Sequence, residues 1–249
     1  MLVVVHREKP AWWQKERHDM ILILFVGTMA LSLWAAWRVK AVYNRYNQGE
    51  VRSGISGGQV AVEILRRNGI RDVEITHAEG MLGDHYDPLH KRLVLSEANY
   101  HGRTPAALGV AAHECGHAIQ HARAYKPLFW RMAAVGITTY ANHVVMFLPL
   151  LGMFTGLIAP MTGALVMACA WGVIMLFNLI TLPVEFDASR RAKAVLADFG
   201  YISPGEEATA VKKVLDAAAW TYVAAFITSL AYLLWHLIPL LLGSNRSRD

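Results

Sequence analysis

The sequence predicts a mainly α-helical integral membrane protein, with about four transmembrane helices carrying a small α+β aqueous part. Three observations lead there. Of the 249 residues, 55% are hydrophobic and only 17% are charged, a balance shifted well away from soluble domains. Four apolar tracts are each long enough to cross a hydrocarbon core of roughly 30 Å. The polar stretches between them carry short helix, strand and turn patterns instead of low-complexity sequence.

Residues 1–19 open on a short apolar run and then turn polar, with Trp12 and Trp13 placed as an interfacial pair before the first span. Met20 to Trp37 is free of charge, and Arg38 and Lys40 follow at once. This reads as a retained anchor over 20–37, since the run is long for a cleaved signal peptide. Residues 38–128 form the main polar segment. Ser53 to Gly58 reads as a Gly/Ser linker, and Gln59 to Arg67 as an amphipathic helix stopped by Gly69. Val73 to Thr76 and Arg92 to Leu95 read as short strands, and the Leu93–Leu95 edge suits pairing with an extended peptide. Between them GDHYDP, residues 83–88, has turn chemistry. Its Asp84, His85 and Asp87, with His90, read as solvated or capping groups more readily than as a second metal site.

Residues 129–182 hold two further spans, about Met132 to Leu151 and Ala159 to Leu182, joined by a short turn near Pro149 to Pro160. Asn142 and His143 lie at membrane depth, either as functional groups or as a polar pair bonded to a neighbouring helix. Residues 183–216 return to water, and 217–249 hold the last span and a short tail with Arg246 and Arg248. The turn between spans two and three lacks Lys and Arg, whereas 38–128 and 183–216 are rich in both. The positive-inside rule therefore puts these two segments together on the cytoplasmic side, against the weaker pull of Arg7, Lys9, Lys15 and Arg17. A net charge of +5 fits such loops, and no motif for nucleic acid accompanies it. Cys115 and Cys169 belong to no CxxC pair and imply no disulfide framework.

The most informative stretch is AAHECGHAIQH, residues 111–121. His113 and His117 stand four residues apart, on one helix face and roughly 6 Å apart along the axis, a spacing that lets both imidazoles bind one Zn²⁺. Glu114, about 100° round the helix, lies where a carboxylate can take a proton from water at the metal. Thr104 is a good N-cap and Pro105 suits the first helical position. Gly116 costs helicity but admits close approach of another backbone. Cys115 faces away from the two histidines. His121 reads as an exposed or supporting histidine, too far along the axis to be a third ligand.

A catalytic zinc takes a third protein ligand and keeps a position for water. Glu185 in LPVEFDASRR is well placed, because Pro183 can end or kink the third span and return the chain to the side of His113 and His117. The same position also suits an interfacial acid paired with Arg190 or Arg191. Asp187 lies about 200° from Glu185 and is not expected to share the ion. Tyr100, His121 and His143 are candidates for a donor to the oxyanion.

GDHYDP, LVLSEANYHGRTPAALGVAAHECGHAIQHA, LPVEFDASRRA and KKVLDAAAWTYVAA together resemble the YugP-type neutral zinc metallopeptidases of bacterial membranes, over about Ser53 to Leu234. More distantly the chain is similar to the HtpX and CAAX-protease superfamily, with HExxH followed by E-x-x-x-D. The resemblance implies a small α+β HExxH zinc-peptidase domain in the bacterial cytoplasmic membrane, and a gluzincin-like set in which His113, His117 and Glu185 bind zinc and Glu114 is catalytic. It implies peptide or membrane-protein substrates. Ser189 stands where the wider superfamily has Asp. The rivals are a non-catalytic, zinc-stabilised membrane scaffold, which needs no Glu114, and a metal transporter, which would place its ligands in facing spans.

Overall fold

The computed structural model describes residues 11–78 and 83–244. The apolar opening with Arg7 and Lys9, and the tail carrying Arg246 and Arg248, lie outside the described residues. The described elements run α1 (Ala11–Tyr46), α2 (Gly57–Arg67), β1 (Glu74–Ala78), β2 (His85–Asp87), β3 (Arg92–Ser96), α3 (Glu97–His101), α4 (Pro105–Ala122), α5 (Lys126–Thr155), α6 (Pro160–Asp198) and α7 (Glu206–Ser244).

Four of these helices, α1, α5, α6 and α7, are long and apolar enough to cross a membrane. Their outward faces are apolar too: Ile23 is 71% exposed and Phe154 80% exposed. A belt of this kind is a liability in water and is what lipid covers. Asn178 on α6 donates to the Ala225 carbonyl and to Ser229 Oγ on α7, a polar tie inside the apolar bundle. His143 is exposed and bonds the Thr139 carbonyl of its own helix, which answers its polar demand locally.

Of the two outcomes that Pro183 allowed, an end or a continuation, α6 takes the second and runs through it to Asp198. An interior proline forfeits a backbone hydrogen bond at a cost of about 3 kcal/mol. Packing offsets that cost, because Val184, Ala188, Ala192 and Leu196 beyond it are fully buried. The aqueous core therefore reaches past residues 38–128. Ile64 of α2, Leu93 and Leu95 of β3, Leu108 of α4, Leu196 of α6 and Val211 and Leu215 of α7 share one cluster.

The sheet has the order β1-β3-β2, with β1 parallel and β2 antiparallel to β3. This overturns two expectations. The Leu93–Leu95 strand is central, with β1 along one side and β2 opposite Arg92 to Val94 on the other. GDHYDP is no simple turn, since His85 to Asp87 form the edge strand β2 and the reversal follows it, with Lys91 left-handed at φ 49°. Asp84 accepts from the Ser96 amide and hydroxyl and from Asn99 Nδ2, while Asn99 Oδ1 accepts from Tyr43 OH. That chain of bonds ties the aqueous end of α1 to the sheet. Asp87 caps the Leu89 and His90 amides. The Gly/Ser linker is likewise structured. Ser56 is the N-cap of α2 in a capping box with Gln59, and a Cβ on Gly57 would stand 2.1 Å from the Asn99 carbonyl.

Candidate metal centre

α4 starts where the sequence indicates, with Thr104 Oγ1 accepting from the Ala107 amide and Pro105 in the first turn. Its position against α6 is set by Gly116. A Cβ there would lie 2.7 Å from the Ala188 carbonyl oxygen and 3.1 Å from Ala188 Cα. Only a glycine lets the two backbones approach so closely, and the approach brings the flanking side chains of α6 onto the histidines. Cys115 points the other way, Sγ toward the Ala61 carbonyl on α2, and burial pushes its thiol pKa up.

The result is a convergence of three donors. Glu185 Oε2 lies 3.2 Å from His113 Nε2 and 3.6 Å from His117 Nε2. Ligand atoms of His113, His117 and Glu185 all lie within 4.8 Å of one another, the one such grouping among the described residues. The remaining ring nitrogens are held from behind. Gln120, fully buried, gives its amide hydrogens to the Val184 carbonyl and Asp187 Oδ2, so its Oε1 must accept. His117 Nδ1–H donates to that oxygen at 3.0 Å, which leaves the Nε2 lone pair facing the centre. Ser189 Oγ lies 3.2 Å from His113 Nδ1 and plays the same part more weakly than a carboxylate. Burial opposes a charge on His117, but the Glu185 carboxylate outweighs it and raises the imidazole pKa. A divalent cation at the same point therefore competes with a proton.

Asp187 is not turned to solvent. It is buried, paired with Arg190 and Arg191, and reaches His117 through Gln120. Glu114 is also buried, at 8% exposure, beside His113 on α4. His121 stands apart from the three donors. Its Nδ1 meets Tyr86 OH at 2.8 Å, and the Tyr86 pKa is pushed up to about 12, chiefly by burial. Tyr100 packs on Gly58 and His77.

Two further groups reach the centre without a signal in the sequence. Arg131 Nη1, on the second turn of α5, donates to Glu185 Oε1 at 2.7 Å. Glu185 is 2% exposed, and removing the partner of a buried charge costs about 3–5 kcal/mol. Tyr222 of α7 lies within electrostatic reach of the same carboxylate and of Arg131 and Glu114. An arginine at the head of a span reads as an ordinary cytoplasmic flank, and a tyrosine within one as packing. Gln120 was equally silent.

Residues 21–241 match the family described as "Putative neutral zinc metallopeptidase". The chain belongs to this zinc metallopeptidase family. Over 228 residues it is also 39% identical to the Bacillus subtilis (strain 168) protein named "Putative membrane protease YugP", covering 92% of this chain and 100% of that one. No solved structure is significantly similar to it. The donor set suits the family's metal: two imidazoles and one carboxylate, each oriented by a second group, are zinc chemistry.

Proposed function

We propose that the chain is a membrane-embedded, zinc-dependent endopeptidase in which His113, His117 and Glu185 hold the metal and Glu114 is the general base. The observation that carries this reading is the convergence of two Nε2 atoms and Oε2, with both Nδ1 atoms occupied by Gln120 and Ser189. When bound, zinc polarises the scissile carbonyl and lowers the pKa of water toward about 7. Glu114 accepts a proton from the attacking water and passes it to the leaving nitrogen, so the new terminus departs as an amine. Gln120 and Ser189 keep the imidazoles fixed throughout. Substrates are peptides or membrane-protein segments presented at the bilayer surface, because the α5 and α6 residues of the site sit at the aqueous ends of spans. Purified protein in detergent should hydrolyse an unfolded protein probe, lose that activity on chelation and regain it with zinc. Activity that persists in the metal-free protein would refute the reading.

We also place the site on the cytoplasmic side, because the aqueous segments around it are rich in Lys and Arg and the turn between the second and third spans has neither. Gln48 and Glu206 are exposed at the aqueous ends of α1 and α7. Introduced singly as Gln48→Cys and Glu206→Cys, in a background of Cys115→Ala and Cys169→Ser, both should resist a membrane-impermeant thiol reagent in intact cells. Both should react after lysis. Labelling of both in intact cells reverses the orientation, and labelling of one alone breaks the span count.

A further inference from the structure

We propose that Arg131 is a positioning residue of the metal centre, holding Glu185 Oε1 so that the carboxylate meets the metal through Oε2 alone. The proposal rests on the zinc reading above. Its basis is the division of labour between the two oxygens. Oε2 faces both histidine Nε2 atoms, at 3.2 Å and 3.6 Å, while Oε1 accepts from Arg131 Nη1 at 2.7 Å. Carboxylates readily bind metals through one oxygen or two. Nothing in the Glu185 side chain itself decides between those modes, since a small rotation about its last torsion brings Oε1 inward. A charge-assisted bond from a guanidinium does decide it, because Oε1 must leave that bond to reach the metal.

The consequence concerns the fourth coordination position. A glutamate binding through both oxygens would crowd the place that an attacking water and a substrate carbonyl need. Arginine suits the task because it stays charged at any working pH and presents its donors in a fixed plane. Its side chain is rooted on α5, an element that supplies no ligand, so the restraint is independent of the α4–α6 contact that sets the donor spacing.

The test uses full-length protein in detergent with Co²⁺ in place of zinc, read by visible absorption, which is strong for four-coordinate and weak for five-coordinate Co²⁺. Wild type should show the strong bands. Arg131→Met, which keeps bulk but has no donor, should still bind one equivalent of Co²⁺ with bands several-fold weaker. Its zinc form should lose about 10–100-fold in kcat with KM little changed. Arg131→Lys, which retains a donor, should recover most of the band intensity. An unchanged spectrum in Arg131→Met overturns the proposal, as does loss of metal from both variants, the mark of a merely structural ion pair. If wild type and Glu185→Gln give the same spectrum, Glu185 is no ligand; the zinc assignment then fails, and this inference with it.

Discussion

Glu114→Gln should lower kcat/KM by about 10²–10⁴-fold while the purified protein keeps its full zinc content. The substitution preserves the shape of the side chain and its buried place beside His113, and removes only the ability to take up a proton. Because His113, His117 and Glu185 already account for three donors, the metal does not need this carboxylate. Zinc analysis, a melting curve and hydrolysis of one unfolded probe, all on the same preparation, decide the matter. A variant that loses zinc would make Glu114 a ligand. A variant that keeps full activity would pass the base to another group. If the cellular phenotype also survives in Glu114→Gln, the zinc serves only to hold a scaffold together, which is the non-catalytic rival. If activity is lost while zinc is kept, comparing membrane proteomes of cells carrying either form should expose the substrates, as peptides that accumulate only in the variant.

Glu185→Gln should purify with little zinc at sub-micromolar free metal, because two histidines alone are too few protein ligands for the usual catalytic site. Glutamine is the more discriminating replacement here. It can still accept from Arg131 through its amide oxygen, so the guanidinium is not left without a partner, and only the anionic donor is lost. Asp187→Ala removes a group one step further out, joined to His117 through Gln120, and should cost at most about 10–100-fold in zinc affinity. Metal analysis on folded, monodisperse protein ranks the two. The opposite ranking would move the third ligand to Asp187.

Periodicity and position carried the sequence reading as far as local rules reach. The four spans follow from uninterrupted apolarity, and the pairing of His113 with His117 follows from a spacing of four on a capped helix. That Glu185 joins them was arguable from membrane sidedness alone. What stayed hidden depends on which helix faces which. Gln120 looks like any polar residue near a helix end until Val184 and Asp187 of α6 take its two amide hydrogens. The tie from Asp187 to Gln120 was hidden for the same reason: the helical phase that separates it from Glu185 turns it toward Gln120 as well as toward the arginines. β2 was missed because three residues with Asp and Pro around them carry turn chemistry, and only pairing with β3 makes them a strand. Gly116 was read correctly, since a glycine inside a helix that must pack has few other uses.

His113 and Glu185 are 72 residues apart in the chain, with the whole of α5 and the membrane part of α6 between them. A cation held by both, as proposed above, would be a latch closed across two passes through the bilayer. Such a latch stabilises the assembled form by RT ln(1 + [Zn]/Kd), about 4 kcal/mol when free zinc stands a thousandfold above Kd. Newly inserted chains that have not met zinc forgo that gain, and α4 is then kept on α6 by the Gly116–Ala188 seam and its neighbours alone. Held as proposed, the ion that supplies reactivity would also strengthen the hold between α4 and α6, so removing it should lower the melting temperature of the folded protein.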